Sequence, residues 1–440
     1  MREASDSWSD RWGLVACLLL ALAVRCLAMS VRADELTHDR DAYLGIARGV
    51  AAGRGLCSPD SLTPTAFRPP LYPLLLGLLM VALPTGVAVA AVNLAFGGVT
   101  VWATFRAGQA LQLGRASLLA AALVAIDPLL LLYGTQPMTE SICAGLVSLL
   151  VLAAVGWSEV QKQEAQHESP RSRFGLVWSS SGDDRFRVGV LFGLLVLCRP
   201  TFWPLAGVMA AGWCGSFVTD AKHHRPLKRL PWRVIAGMLL VVAPWVVRNQ
   251  LVIGAPLLTT THGGYTLLLA NNSVFYDEVV DQKWGTVWNG ESLARWQAEL
   301  DARLAHELGA DTSELERDRR QSELGREFIL AEPNRFARAV VHRTRSLWSP
   351  VPQGETDEGS ARIVIAAVGW FYSIVLLAFV IGMLVVAAHS SDRRRWWLLY
   401  ALVITVQAVH LVYWTNARMR APLTPVVALF AVATVARRMR

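Results

Sequence analysis

The chain has 440 residues, 53% of them hydrophobic and only 17% charged, with a mean hydropathy of +0.37 and a formal net charge of +8. That balance is too apolar for an ordinary soluble globule, so an all-α polytopic membrane protein is expected. The positive charge does not point to nucleic acid, because the basic residues sit in short loops beside apolar segments, where membrane topology accounts for them.

A span needs about 20 mostly apolar residues to cross about 30 Å of hydrocarbon. In chain order, such segments are 13–30, 87–105, 116–134, 141–157, 188–198, 200–218, 234–252, 362–388, 396–414 and 422–436. The first is read as an uncleaved span, since it is apolar for too long to be a signal sequence and shows no small-x-small cleavage site before the acidic loop. PPLYPLLLGLLMVAL, residues 69–83, is short for a crossing and opens on three prolines in five positions. If it lies along the interface, Arg106, Arg115, Lys162, Arg171, Arg173, Arg185, Arg187, Lys222, Arg225, Lys228, Arg229, Arg233, Arg393–Arg395 and the terminal Arg437, Arg438 and Arg440 share one face. That is the positive-inside pattern, and it predicts about ten spans with both termini cytoplasmic, in a bacterial-type inner membrane.

The expected organisation is an N-terminal membrane module over 1–253 that contains the first outer loop (31–86), an extracytoplasmic cap region over 254–360 and a C-terminal set of helices over 361–440. Trp284, Trp288, Trp296 and Trp348 populate the cap region, where Ser313-Glu-Leu-Glu316 has the spacing of a capping box and predicts a helix start. Residues 162–185 read as a disordered loop. Five of the six cysteines (Cys17, Cys26, Cys143, Cys198, Cys214) fall in apolar segments and read as packing residues, while Cys57 stands in a loop. No C-x-x-C or H-E-x-x-H spacing marks a metal site, so none is assigned, and dependence on a divalent metal stays open.

Ionisable groups close to hydrocarbon cost about 2.5 to 3.5 kcal/mol each and call for a reason. Asp39 and Asp41 precede a helical pattern (Tyr43, Ile46, Ala47, Val50), where a carboxylate suits the positive end of the helix dipole. Arg68 opens the RPP turn, Glu140 follows DPLLLLYGTQPMT, Arg199 lies in CRP, Arg248 in APWVVRN, and Arg418 and Arg420 in NARMRAP. All fall at the outer boundary of the expected topology. A guanidinium offers a planar fork of donors to phosphate oxygens, so several arginines together suit a lipid-linked phosphate. Taken singly, each reads equally well as a side chain snorkelling to headgroups.

The ordered series D-x-x-x-Y-x-x-I-A-x-x-x-x-x-G-x-G-L, A-F-R-P-P-L-Y-P, P-L-L-L-Y-G-x-x-x-x-E, L-x-R-P, A-P-W-x-x-R-N, G-G-Y-x-L-L-x-x-N-N and R-x-R-x-P-L-x-P resembles the polyprenyl-phosphate-sugar-dependent membrane glycosyltransferases of the GT-C fold. These include bacterial relatives of protein O-mannosyltransferase and of the aminoarabinose transferase that modifies lipid A. The resemblance runs from residue 34 to about residue 425. It implies a GT-C-like helical bundle with juxtamembrane helices in the first outer loop and, as general base, an aspartate of that loop. The matching position is Asp39, with Asp41 as the second choice. It also implies donor-phosphate contacts from Arg68, Arg248 and Arg420. Tyr43, Tyr72, Glu140 and His262 are weaker candidates for contact with the sugar or the acceptor.

The implied reaction is attack of an acceptor hydroxyl, on a lipid, glycan or protein, upon C1 of a lipid-linked sugar, with inversion and release of the lipid phosphate. The donor acts as co-substrate and no cofactor is assigned. Two other readings remain: a lipid or glycan transporter or flippase, and a polysaccharide ligase using a lipid-diphosphate donor. Transporters bind near the bilayer midplane, commonly between internal repeats, whereas these charges gather at one face and no repeat is evident.

Overall fold

Long apolar runs punctuated by proline, glycine and basic clusters give a chain that satisfies its backbone polar groups within helices, as a bilayer requires. The structure is a computed structural model that describes residues 2–165, 181–222, 231–309, 312–351, 359–389 and 393–438. The helices are α1 (Arg2–Val31), α2 (Tyr43–Ala51), α3 (Leu71–Met80), α4 (Thr85–Ala110), α5 (Ala116–Ala125), α6 (Pro128–Gly134), α7 (Glu140–Ala165), α8 (Ser181–Cys198), α9 (Pro204–Lys222), α10 (Trp232–Val252), α11 (Gly263–Ala270), α12 (Ser273–Phe275), α13 (Gly290–Leu308), α14 (Glu314–Ala331), α15 (Pro333–Leu347), α16 (Gly359–Ala388), α17 (Arg393–Val409) and α18 (Thr424–Arg438). A 3-10 segment, Ala417–Leu423, leads directly into α18. Among the described residues the only β-pairing is a single bridge between Cys57 and Pro64.

Nine of the ten segments expected to span each fall largely within one helix, and 116–134 holds two. Ser9–Val31, Thr85–Ala110, Trp232–Val252, Arg362–Ala388 and Ala417–Ala436 are long and apolar enough to cross a membrane alone, and α5 with α6 makes a sixth if the pair counts as one span. The segment 69–83 forms the ten-residue α3, which packs on α2. Most of the loop expected to be disordered (162–185) lies outside the described residues, as do Arg171, Arg173, Arg225, Lys228, Arg229 and Arg440.

The expected single span 116–134 is broken, with a bend of 41° between α5 and α6. Pro128 cannot donate to the preceding turn, and Asp127 caps the new helix by accepting from the Leu130 amide at 2.9 Å. The carbonyls left over at the end of α5 are taken by the buried Arg25, which donates to Ala125 at 2.9 Å and Val124 at 3.3 Å. A charge within the bundle thus satisfies a helix terminus that no water reaches.

Helices α8 and α10 approach through glycine. A Cβ at Gly189 would overlap the Val234 carbonyl, and one at Gly237 would overlap that of Phe186. Small residues permit this close contact where no hydrophobic drive separates helix from lipid. The described part of 254–360 is largely helical, and Ser313 and Glu316 form the reciprocal capping box at the start of α14. Its own apolar cluster gathers Phe275, Tyr276, Trp288, Trp296, Leu300 and Leu304.

Candidate active site

The loop between α1 and α4 bends back over the helix ends and is fastened from two directions. Arg248, at the end of α10, donates to the carbonyls of Thr65 at 2.8 Å and Leu56 at 2.9 Å. From the start of α14, Glu314 accepts the Ala66 amide at 2.6 Å and the Thr65 hydroxyl at 2.7 Å. Both grips fall just before Arg68 and set where its side chain begins.

Arg68 lies over the rings of Phe67 and Tyr43, 4.8 and 5.4 Å from their centroids, and its Nε donates to the Asp41 backbone carbonyl at 2.7 Å. Its Nη2 reaches the Asp41 carboxylate at 3.5 Å. The other oxygen of that carboxylate accepts from Arg418 Nη2 at 2.8 Å. Arg418 Nε donates in turn to Glu140 Oε1 at 2.5 Å, and Arg199 Nη1 lies 3.4 Å from the same oxygen. Glu140 is wholly buried and its second oxygen has no hydrogen-bond partner. Three arginines and two carboxylates from the first loop, α7, the end of α8 and the 3-10 segment before α18 thus form one cluster.

Local geometry sorts the two aspartates. Ala42, between Asp41 and Tyr43, adopts φ +61°, a left-handed conformation that costs a non-glycine residue about 1–2 kcal/mol. The kink lets Tyr43 enter the core against Tyr72, ring centroids 5.4 Å apart, while the Asp41 carboxylate meets the arginines. Asp39 Oδ2 accepts the Gly45 amide at 2.7 Å, holding the first turn of α2, and its Oδ1 is buried without a partner.

Burial pushes the Asp41 carboxyl up, but Arg418 and Arg68 outweigh it and hold the group below its ordinary value. Burial raises the Tyr43 phenol to about 12. His262 packs edge-on against Phe67, 4.4 Å between centroids, and stacks on Tyr265. Burial first, and then Arg68, drive its imidazole well below the ordinary range, so it is neutral at pH 7. Among the described residues no three His, Cys, Asp or Glu side chains converge as a metal-binding group.

Of the residues singled out from the sequence, the structure gathers Asp39, Asp41, Tyr43, Arg68, Tyr72, Glu140 and His262 around this cluster. Arg248 and Arg420 stand apart from it. Arg248 holds loop carbonyls, and Arg420 donates to the carbonyls of Leu347 and Ser349, both at 2.7 Å, beneath the Tyr372 ring. The residue of the R-M-R motif that joins the cluster is Arg418. In a 3-10 segment with three residues per turn, side chains two apart point in different directions, and Asn416 fixes the register by accepting the Arg418 amide at 3.1 Å. Arg199 and Tyr133, the ring under Arg418, also belong to the site.

The fold is of the GT-C type found in membrane glycosyltransferases. Two structures of an archaeal oligosaccharyltransferase from Archaeoglobus fulgidus align over 98% of this chain. One is AglB in complex with an inhibitory peptide and a dolichol-phosphate, at TM-score 0.53 and 14% identity. The other is the apo form, at TM-score 0.55 and 13% identity. The chain spans about half the length of these proteins, 51% in both cases. ArnT from Cupriavidus metallidurans, bound to undecaprenyl phosphate, aligns over 97% of this chain and 78% of its own, with 14% identity and a TM-score of 0.43, too low a similarity to carry weight. No protein-family model matches the chain, and no curated protein matches its sequence.

Proposed function

We propose that the protein is a membrane glycosyltransferase that moves a sugar from a polyprenyl-phosphate-linked donor to an acceptor hydroxyl at the extracytoplasmic face, with inversion. The observation that carries this reading is the Asp41 carboxylate lying between Arg68 and Arg418 at the rim of an apolar bundle of GT-C fold. Both guanidiniums pair with the Asp41 carboxylate. A donor phosphate offers them stronger acceptors, so its arrival holds the phosphate and releases the carboxylate.

The steps follow from the residues present. Asp41, ionised at neutral pH, takes the proton of the acceptor hydroxyl as the hydroxyl oxygen bonds to C1 of the sugar. The bond from C1 to the phosphate oxygen breaks, and its electron pair stays on the phosphate, where Arg68 and Arg418 offset the growing charge. Glu140, itself buried, orients Arg418 and Arg199. Neutral His262 packs on Phe67 beside Arg68, and the buried Tyr72 backs Tyr43. Asp39 serves chiefly to hold α2, and Arg248 and Arg420 to hold the backbone around the site. The extracytoplasmic placement rests on charge: Arg106, Arg115 and Arg233 lie in or beside helix ends opposite the cluster, as the positive-inside bias expects.

The test is turnover by protein in lipid nanodiscs, using labelled polyprenyl-phosphate sugars and membrane-extract acceptors. Asp41→Asn is expected to abolish transfer while donor binding persists, and Arg68→Ala to weaken donor binding. Undiminished transfer by Asp41→Asn would refute the assignment of the base.

A further inference from the structure

Two thiols that the proposed reaction does not use meet directly below the cluster. Cys143 lies on α7 three residues after Glu140, and Cys198 ends α8 immediately before Arg199. Both are 0% exposed, and their Sγ atoms are 3.0 Å apart. Both are free thiols in hydrogen-bond contact, about 1 Å farther apart than the roughly 2.05 Å of an S–S bond. The other cysteines are disposed differently: Cys26 and Cys214 are exposed, Cys17 faces the Leu118 carbonyl, and Cys57 is buried in the first loop.

We infer that Cys143 and Cys198 are a disulfide-forming pair that fastens the start of α7 to the end of α8. The sequence alone offers no sign of this, since both residues read as apolar packing and they lie 55 positions apart. Forming the bond removes one proton and one electron from each thiol. A low-molecular-weight disulfide accepts both electrons and departs as two thiols. Complete burial keeps bulky oxidants out of the finished fold, so the bond forms as the two helices come together or through a small oxidant that enters the bilayer. Once formed, it ties the backbone carrying Arg199 to the backbone carrying Glu140 and keeps that ion pair in register.

Counting thiols tests the pair without a donor or an acceptor, so the result is independent of whether the protein transfers sugar. Full-length protein is purified without reductant and acid-quenched, either directly or after treatment with diamide, a small diazene that takes up the two electrons and two protons. It is then denatured and alkylated with N-ethylmaleimide. Full reduction should give six adducts, one for each cysteine. The unreduced protein, directly or after diamide, should give two fewer, with the peptides containing Cys143 and Cys198 joined and separable by reductant. Cys143→Ser should give the same adduct count with and without diamide. Six adducts in both unreduced preparations, or a linkage joining other cysteines, would overturn the inference.

Discussion

Replacing Arg418 with Met and Glu140 with Gln together should cost less than the sum of the two changes made singly. The guanidinium bridges two carboxylates, and the one on Glu140 has no exposed surface and one oxygen already without a partner. Without Arg418, Glu140 keeps only Arg199 at 3.4 Å and Asp41 keeps only Arg68 at 3.5 Å. Breaking a buried pair from one side costs about 3–5 kcal/mol, and because both acids retain a second arginine we expect about 3 kcal/mol. Glu140→Gln alone removes the charge but keeps the shape, and should cost about 1–2 kcal/mol. In the double variant the neutral glutamine no longer needs the cation, so the combined loss should fall short of the sum by about 1–3 kcal/mol. Reversible unfolding in mixed micelles, followed by tryptophan fluorescence, measures all four corners of the cycle. Additivity within about 0.5 kcal/mol would show that the two side chains do not act as a buried pair, and the cluster as described would fail with it.

The pH dependence has a defined sign. Asp41 has a folded value below its ordinary 3.8, so it contributes stability above that pH that is lost as pH falls through the lower folded value; wild type should therefore lose stability more steeply than Asp41→Asn below about pH 4. Glu314→Ala removes the acceptor for Ala66 and Thr65, and should cost about 1.5–3 kcal/mol, lower transfer through misplacement of Arg68, and speed limited proteolysis in the 56–66 stretch. Arg248→Ala should lower the unfolding midpoint while raising the donor KM less than Arg68→Ala does, since its guanidinium is engaged with Leu56 and Thr65; equal KM effects from the two variants would return Arg248 to the phosphate site.

The sequence is most legible where one strong local rule acts. Apolar length located the long helices, length and flanking charge set 69–83 apart as a shorter segment, and the Ser313–Glu316 spacing marked the start of α14. The break at Asp127 escaped notice because a 19-residue apolar stretch looks continuous to a hydropathy window, even though Asp-Pro at its centre carries both a cap and a lost donor. The arginines divide in the same way. Their presence at helix ends was readable, but whether a guanidinium faces a carboxylate or a backbone carbonyl depends on partners far along the chain. Arg420 and Arg418 are chemically identical two positions apart, and only the pitch of a 3-10 turn separates their roles. The Cys143–Cys198 contact is likewise a product of how α7 lies on α8.

The ion pair between Asp41 and Arg418 spans 377 positions of sequence. A ribosome therefore releases the acid long before its partner, and the acid must wait beside an inserting bundle until the stretch before α18 arrives. Any chain interrupted earlier holds the Asp41 carboxylate beside Arg68 but without Arg418, so the full cluster closes only once the stretch before α18 has been made.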